Sequence, residues 1–158
     1  ARRVSNVGKY NFYSFEGIRK HNNDQLHVTS MNYDEPKLIK MLEKSKETIS
    51  IHGSSGDDPI VYIGGKDTKM SKSIAKALRK KDFTVKESPK ELNAQSDDNF
   101  VNKNDTDSGV QLELTTAQRE EFFKHHKLDS TTRGNPKKYT KDFYKFANAV
   151  EKGIKRAK

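Results

Sequence analysis

Cysteine is absent from the 158 residues. Disulfides, thiolate metal sites and a cysteine nucleophile are thereby excluded, and any zinc site would have to use His and carboxylate ligands. The lack suits a reducing cytoplasm and equally a bacterial or phage protein released outside. Long apolar runs are missing too. None approaches the roughly 20 residues that span a bilayer, so no membrane partner is expected. The start, Ala1-Arg2-Arg3, has neither Met nor an apolar leader stretch. No signal peptide is visible, and the chain is expected to begin inside a longer precursor. Apolar residues are scarce overall, 31% against 34% charged, which predicts a lean core under much solvated surface. Repeats and low-complexity tracts are also lacking, and the length suits one domain.

Acid is the scarcer charge. Lys plus Arg number 31 and Asp plus Glu 22, for a net charge of +9. Such a balance favours polyanions, whether nucleic acid, an anionic surface or an acidic polymer, without choosing among them. The excess lies in residues 66–81 and in residues 120–158, where eleven Lys or Arg face five Asp or Glu. Common nucleic-acid motifs are not found. Gly64-Gly65 is not followed by the Lys-Ser/Thr of a phosphate loop and reads as a strand-to-helix turn. His125-His126 lacks the spacing that puts two histidines on one helix face.

What is present is an alternation of short β-like and helical segments. Residues 10–16 are aromatic-rich and read as a strand, as do residues 25–30, with His27 off the apolar phase. Asp34-Glu35-Pro36 opens a helix to about Ser45, Asp34 serving as cap. Strands are predicted over residues 48–52, 60–63, 83–86 and 110–114, with a short extended piece over 99–104. Residues 71–81 form an amphipathic helix edged with lysines. Thr115-x-x-Gln118 is a capping-box pattern for a helix to about Lys124. The last helix covers residues 139–158 on a stripe of Phe143, Phe146, Ala147, Val150 and Ile154. The pattern predicts an α/β fold: an open mixed or mostly parallel sheet flanked by helices on both faces.

Two polar side chains interrupt apolar alternation on separate strands. Ile49 and Ile51 alternate with Ser50 and His52 before Gly53 breaks the run. Val110, Leu112 and Leu114 alternate with Gln111 and Glu113. Both strands end in a turn or helix, so both residues are placed to open onto one crevice beyond the strand ends. Each also has a bland reading: a histidine bonded to a carbonyl at a sheet edge, and a solvated carboxylate. Together, a histidine ligand and a carboxylate base make the skeleton of a metal-dependent hydrolase.

The order and wording of seven segments resemble the phage and bacterial poly-γ-glutamate hydrolase family, whose members are sometimes labelled phage-related replication proteins. These segments are Tyr13-Ser14-Phe15-Glu16-Gly17, Leu26-His27-Val28-Thr29-Ser30, Tyr33-Asp34-Glu35-Pro36, Ser50-Ile51-His52-Gly53, Val61-Tyr62-Ile63-Gly64-Gly65, Asn99-Phe100-Val101-Asn102 and Gly109-Val110-Gln111-Leu112-Glu113-Leu114. The resemblance covers residues 10–124. It implies a zinc-dependent peptidase with a zinc-carboxypeptidase-like three-layer fold that cleaves γ-glutamyl amides. It implies that His52 binds zinc and Glu113 is catalytic. Asn102 and Lys103 sit where the family tends to have Asn-Arg, a carboxylate-binding pair, and Lys103 lacks arginine's two-pronged geometry. Arg119 also matches a family position, either as a substrate contact or as an anchor for its helix. The family's His-Gly-Gly-x-Ile-Glu stretch, which supplies two further zinc ligands, has no counterpart in residues 1–16. The resemblance therefore implies a first strand lost by proteolysis or truncation, or a member that has lost its chemistry. A monomer acting on a polyanionic γ-glutamyl polymer is expected. A nucleic-acid-binding phage-type protein is the alternative.

Overall fold

The computed structural model describes residues 1–158. Its centre is a four-stranded mixed sheet of β1 (Ile49–Gly53), β2 (Ile60–Gly64), β3 (Thr84–Glu87) and β4 (Val110–Leu114), in the order β1-β4-β2-β3. β4 runs parallel to β1 and antiparallel to β2, while β2 and β3 are parallel. β4 is central, and all five of its residues are buried. Its alternation sends Val110, Leu112 and Leu114 into the main core and Gln111 and Glu113 to the opposite face. β1 and β3 are the outer strands.

The core face is covered by three helices: α1 (Arg2–Gly8), α3 (Thr68–Arg79) and the long α6 (Lys141–Ala157). α3 lays Met70, Ile74 and Leu78 on the sheet, and α6 adds Phe146, Val150 and Ile154. The two helices meet at Gly153, where an added Cβ would lie 2.5 Å from the Ile74 Cα. Gly153→Ala is expected to push α6 off α3 and to lower stability by about 1–3 kcal/mol, as overpacking does. Urea unfolding with an unchanged slope checks this.

Several elements differ from expectation. Residues 10–16 and 25–30 form no strands, although the latter begin with a 3-10 turn, Asn23–Leu26. Their aromatic rings find side-chain partners instead of a ladder. Phe12 lies under Arg2, and the Tyr13 and Tyr33 hydroxyls are 2.6 Å apart. Strand propensity is met only where a neighbouring backbone takes the main-chain hydrogen bonds. α2 (Pro36–Leu42) is capped by Glu35 rather than Asp34, its carboxylate accepting from the Leu38 amide at 2.9 Å. α4 (Thr116–Glu120) stops short of Lys124 because Phe122 and Phe123 both turn into the core. The piece at 99–104 is a 3-10 turn, Phe100–Asn102, capped by Asn99. α5 (Ser130–Arg133) is a single turn before α6.

Gly64-Gly65 does allow a close approach, and it is to the chain itself. Gly65 adopts a φ of +104°, and a Cβ there would collide with the Gly109 carbonyl. The contact pins residues 93–109 over the polar face of the sheet.

Candidate active site

His52 and Glu113 are register partners across the parallel β1–β4 pair. Parallel partners project to the same face, and adjacent strands lie about 4.8 Å apart. The two side chains therefore rise side by side from the polar face, near the carboxyl ends of their strands. Tyr62 of β2 flanks Glu113 on its other side.

A row of polar groups holds the carboxylate. Gln111, two residues back on the same face, donates from Nε2 to Glu113 Oε1 at 3.0 Å. Its own Oε1 accepts from Ser50 Oγ and from Asn99 Nδ2, both at 3.4 Å. Glu113 is only 5% exposed. Burial pushes its carboxyl up to about 7, against the opposing pull of the Gln111 hydrogen bond and the Arg119 charge. Near neutrality it is poised between acid and base.

His52 stacks on Phe100, with ring centroids 6.0 Å apart and planes at 28°. Phe100 in turn meets Tyr33. Burial, and then the neighbouring His27, hold the His52 imidazole below its ordinary pKa, so at neutral pH it is uncharged with a lone pair to offer. A groove of about 730 Å³ follows the free side of β1, lined among others by Tyr10, Phe15, Leu42, Ile51, His52 and Phe100.

The remaining sequence candidates lie apart from this pair. Asn102 is 2% exposed. It donates to the Ala94 and Ser96 carbonyls at 2.8 and 2.9 Å and accepts from the Gly109 amide at 3.0 Å. Its amide is wholly engaged in shaping the loop over the sheet. Lys103 follows it, exposed. Arg119 crosses the end of β1, donating to the Leu114 carbonyl at 3.2 Å, the Ser54 carbonyl at 3.0 Å and the Thr116 hydroxyl at 3.1 Å. Those bonds tie α4 to the strand ends, with its charge felt at Glu113. Gln111 and Phe100 were not singled out from sequence. Gln111 carried one signal, its place two residues before Glu113 on the same strand phase.

Zinc does not fit on the residues of this chain alone. A catalytic site needs about three protein ligands, and no three His, Cys, Asp or Glu side chains converge here. His52 offers one nitrogen.

The fold is α/β, with a His and a Glu abreast on one face of its sheet, and comparison narrows the class. The profile of the poly-gamma-glutamate hydrolase family matches residues 1–149, and the chain belongs to that family. Among its relatives in Bacillus subtilis (strain 168), the UPF0714 protein YmaC is 33% identical over 150 residues, covering 92% of this chain and 61% of YmaC. The SPbeta prophage-derived UPF0714 protein YoqZ is 36% identical over 116 residues, 72% of this chain and 42% of YoqZ. The chain thus spans less than two thirds of the length of these relatives. Among solved structures, a bacteriophage poly-gamma-glutamate hydrolase superposes with a TM-score of 0.93 at 31% identity, covering 98% of this chain and 74% of the other. YndL in its apo, zinc-free form superposes at 0.86 with 27% identity, covering 97% of this chain and 75% of YndL. No helix is long and apolar enough to cross a membrane.

Proposed function

We propose that residues 1–158 form one α/β unit that hydrolyses γ-glutamyl amides of poly-γ-glutamate, with Glu113 as the proton-transfer residue and His52 beside it. The placement of these two on one face of adjacent strands carries the reading. Family membership supplies the substrate class, and the bacteriophage hydrolase supports it. The net charge of +9 suits a polymer with one free carboxylate per residue.

Glu113 takes a proton from water as the oxygen adds to the amide carbonyl. It then delivers that proton to the nitrogen as the C–N bond breaks, releasing a carboxylate and an amine. A group with a pKa of about 7 does both near neutrality. Phe100 and Tyr33 shield one side of His52 from water. The zinc-free description of YndL supports zinc as the family's metal, and His52 is the nitrogen this chain would contribute toward it, beside ligands it does not itself bring together. Lys103, exposed beside the loop, is free to meet a substrate carboxylate, whereas Asn102 and Arg119 act through the loop and the strand ends.

The test is made on the protein as the cell makes it, with and without added zinc. Poly-γ-glutamate is expected to shorten, seen as falling viscosity and new amines, while α-linked polyglutamate stays intact. Failure to cut any γ-glutamyl substrate would sink the proposal.

A further inference from the structure

The lysines of α3 and α6 were left unassigned by the site. α3 carries Lys69, Lys72 and Lys76 on its exposed side, with Lys80 at its cap, and no acidic residue within the helix. α6 exposes Lys141, Lys145, Lys152 and Arg156, which share one face at 3.6 residues per turn. The helices pack together antiparallel: the Ser73 hydroxyl donates to the Gly153 carbonyl at 2.7 Å, and Lys145 feels Asp82 just past the far end of α3. The two rows therefore flank one seam. Of the eight cations, only Lys145 is ion-paired, to Asp142 at 2.9 Å. The other acid of α6, Glu151, is buried and paired with Lys155. This face is on the far side of the sheet from Glu113, because α3 and α6 cover the apolar surface.

We infer that this two-helix face is a second binding surface for the polycarboxylate substrate, holding a length of polymer away from the scissile bond. The inference takes its ligand from the proposed function. Three features argue for it. Lys72, Lys76 and Lys80 recur every four residues, a rise of about 6 Å per step. An extended γ-linked glutamate adds five backbone bonds, also about 6 Å, and its carboxylates alternate sides, so those on one side recur about every 12 Å, the spacing from Lys72 to Lys80. Lys141 with Lys145, and Lys152 with Arg156, repeat the four-residue step on α6. The face is seven lysines to one arginine and bears no exposed aromatic ring, so it offers point charges for carboxylates and nothing for bases to stack on. Single exposed charges bind weakly, but a polymer engages many at once, and its retention raises the local concentration at the crevice.

The experiment uses fluorescein-labelled poly-γ-glutamate of several hundred residues and the full protein, with binding read as anisotropy. The variant K72Q/K76Q/K80Q/K152Q/R156Q keeps helix-forming residues at exposed positions. It is expected to weaken long-polymer binding by about 10-fold or more and to flatten its dependence on salt. Cleavage of a short γ-glutamyl hexamer should stay within about two-fold of the parent in kcat and KM. K137Q/K138Q removes two charges from the turn before α6 and should weaken binding less for each charge removed. An equal loss per charge removed in the two variants would show that net charge alone acts, and would overturn the inference. So would unchanged binding, equal losses on polymer and hexamer, or a loss confined to duplex DNA of matched charge. A protein that binds through this face yet cuts nothing leaves the inference standing and removes the proposed activity. Cutting without such binding does the reverse.

Discussion

Glu113→Gln is expected to slow hydrolysis of poly-γ-glutamate by about a thousandfold, roughly 4 kcal/mol of transition-state stabilisation, while making the fold firmer in alkaline solution. The two effects come from one cause. The carboxyl is buried, and its folded-state pKa is raised from 4.5 to about 7. Between those values the folded state holds a proton that the unfolded chain has released. Stability therefore falls as pH rises from about 4.5, and the loss is complete just above about 7. The full span is worth about 3 kcal/mol at most. Glutamine keeps the shape and can still meet Gln111, but it has no charge to bury. The variant should lose this pH dependence and melt higher than the parent at pH 8. His52 works in the opposite sense. Its folded pKa lies below its ordinary value, so its contribution is present above that value and is lost as pH falls. Thermal melts from pH 4 to 9 on both proteins, beside initial rates, check the prediction. A glutamine variant that cuts normally would remove Glu113 from the chemistry.

Asn102→Ala is expected to cost about 3 kcal/mol or more, with a fall in melting temperature near 10 °C. Alanine would leave the Gly109 amide and the Ala94 and Ser96 carbonyls without their partner inside a closed loop. Each orphaned buried group costs about 1–3 kcal/mol. Residues 93–109 carry Asn99, which helps orient Gln111, and Phe100, which backs His52. A loosened loop should therefore lower kcat along with stability. Lys103→Ala supplies the contrast. Its side chain is exposed, so a role in gripping substrate predicts a higher KM at unchanged stability. Normal stability with a raised KM for Asn102→Ala would reverse this assignment and make Asn102 a substrate contact.

The legible part of the sequence was its short-range periodicity. Alternation over β1 and β4 put His52 and Glu113 on the polar phase, and the structure sets them abreast. The stripe from Phe146 to Ile154 likewise marked the buried side of α6. Residues 10–16 and 25–30 depart from the strands their sequence predicts, for a physical reason. Their aromatic and β-branched composition is that of a strand, but a strand needs a partner, and partner choice is not local. Asn102 shows the same limit at the site. An asparagine in a turn looks available for ligand, and only the path of the loop reveals that three backbone groups already claim it. Gln111 stood in plain view, yet its hold on Glu113 depends on Ser50 and Asn99, from distant parts of the chain.

The two margins of the sheet are unlike. β3 ends in Lys86 and Glu87, charges that repel an approaching strand. β1 presents Ile49, Ser50 and Ile51 with no charged residue among them, beside a broad furrow. When concentrated, residues 1–158 produced by themselves should adhere through the β1 margin, backbone to backbone, and Ile49→Lys would keep them apart.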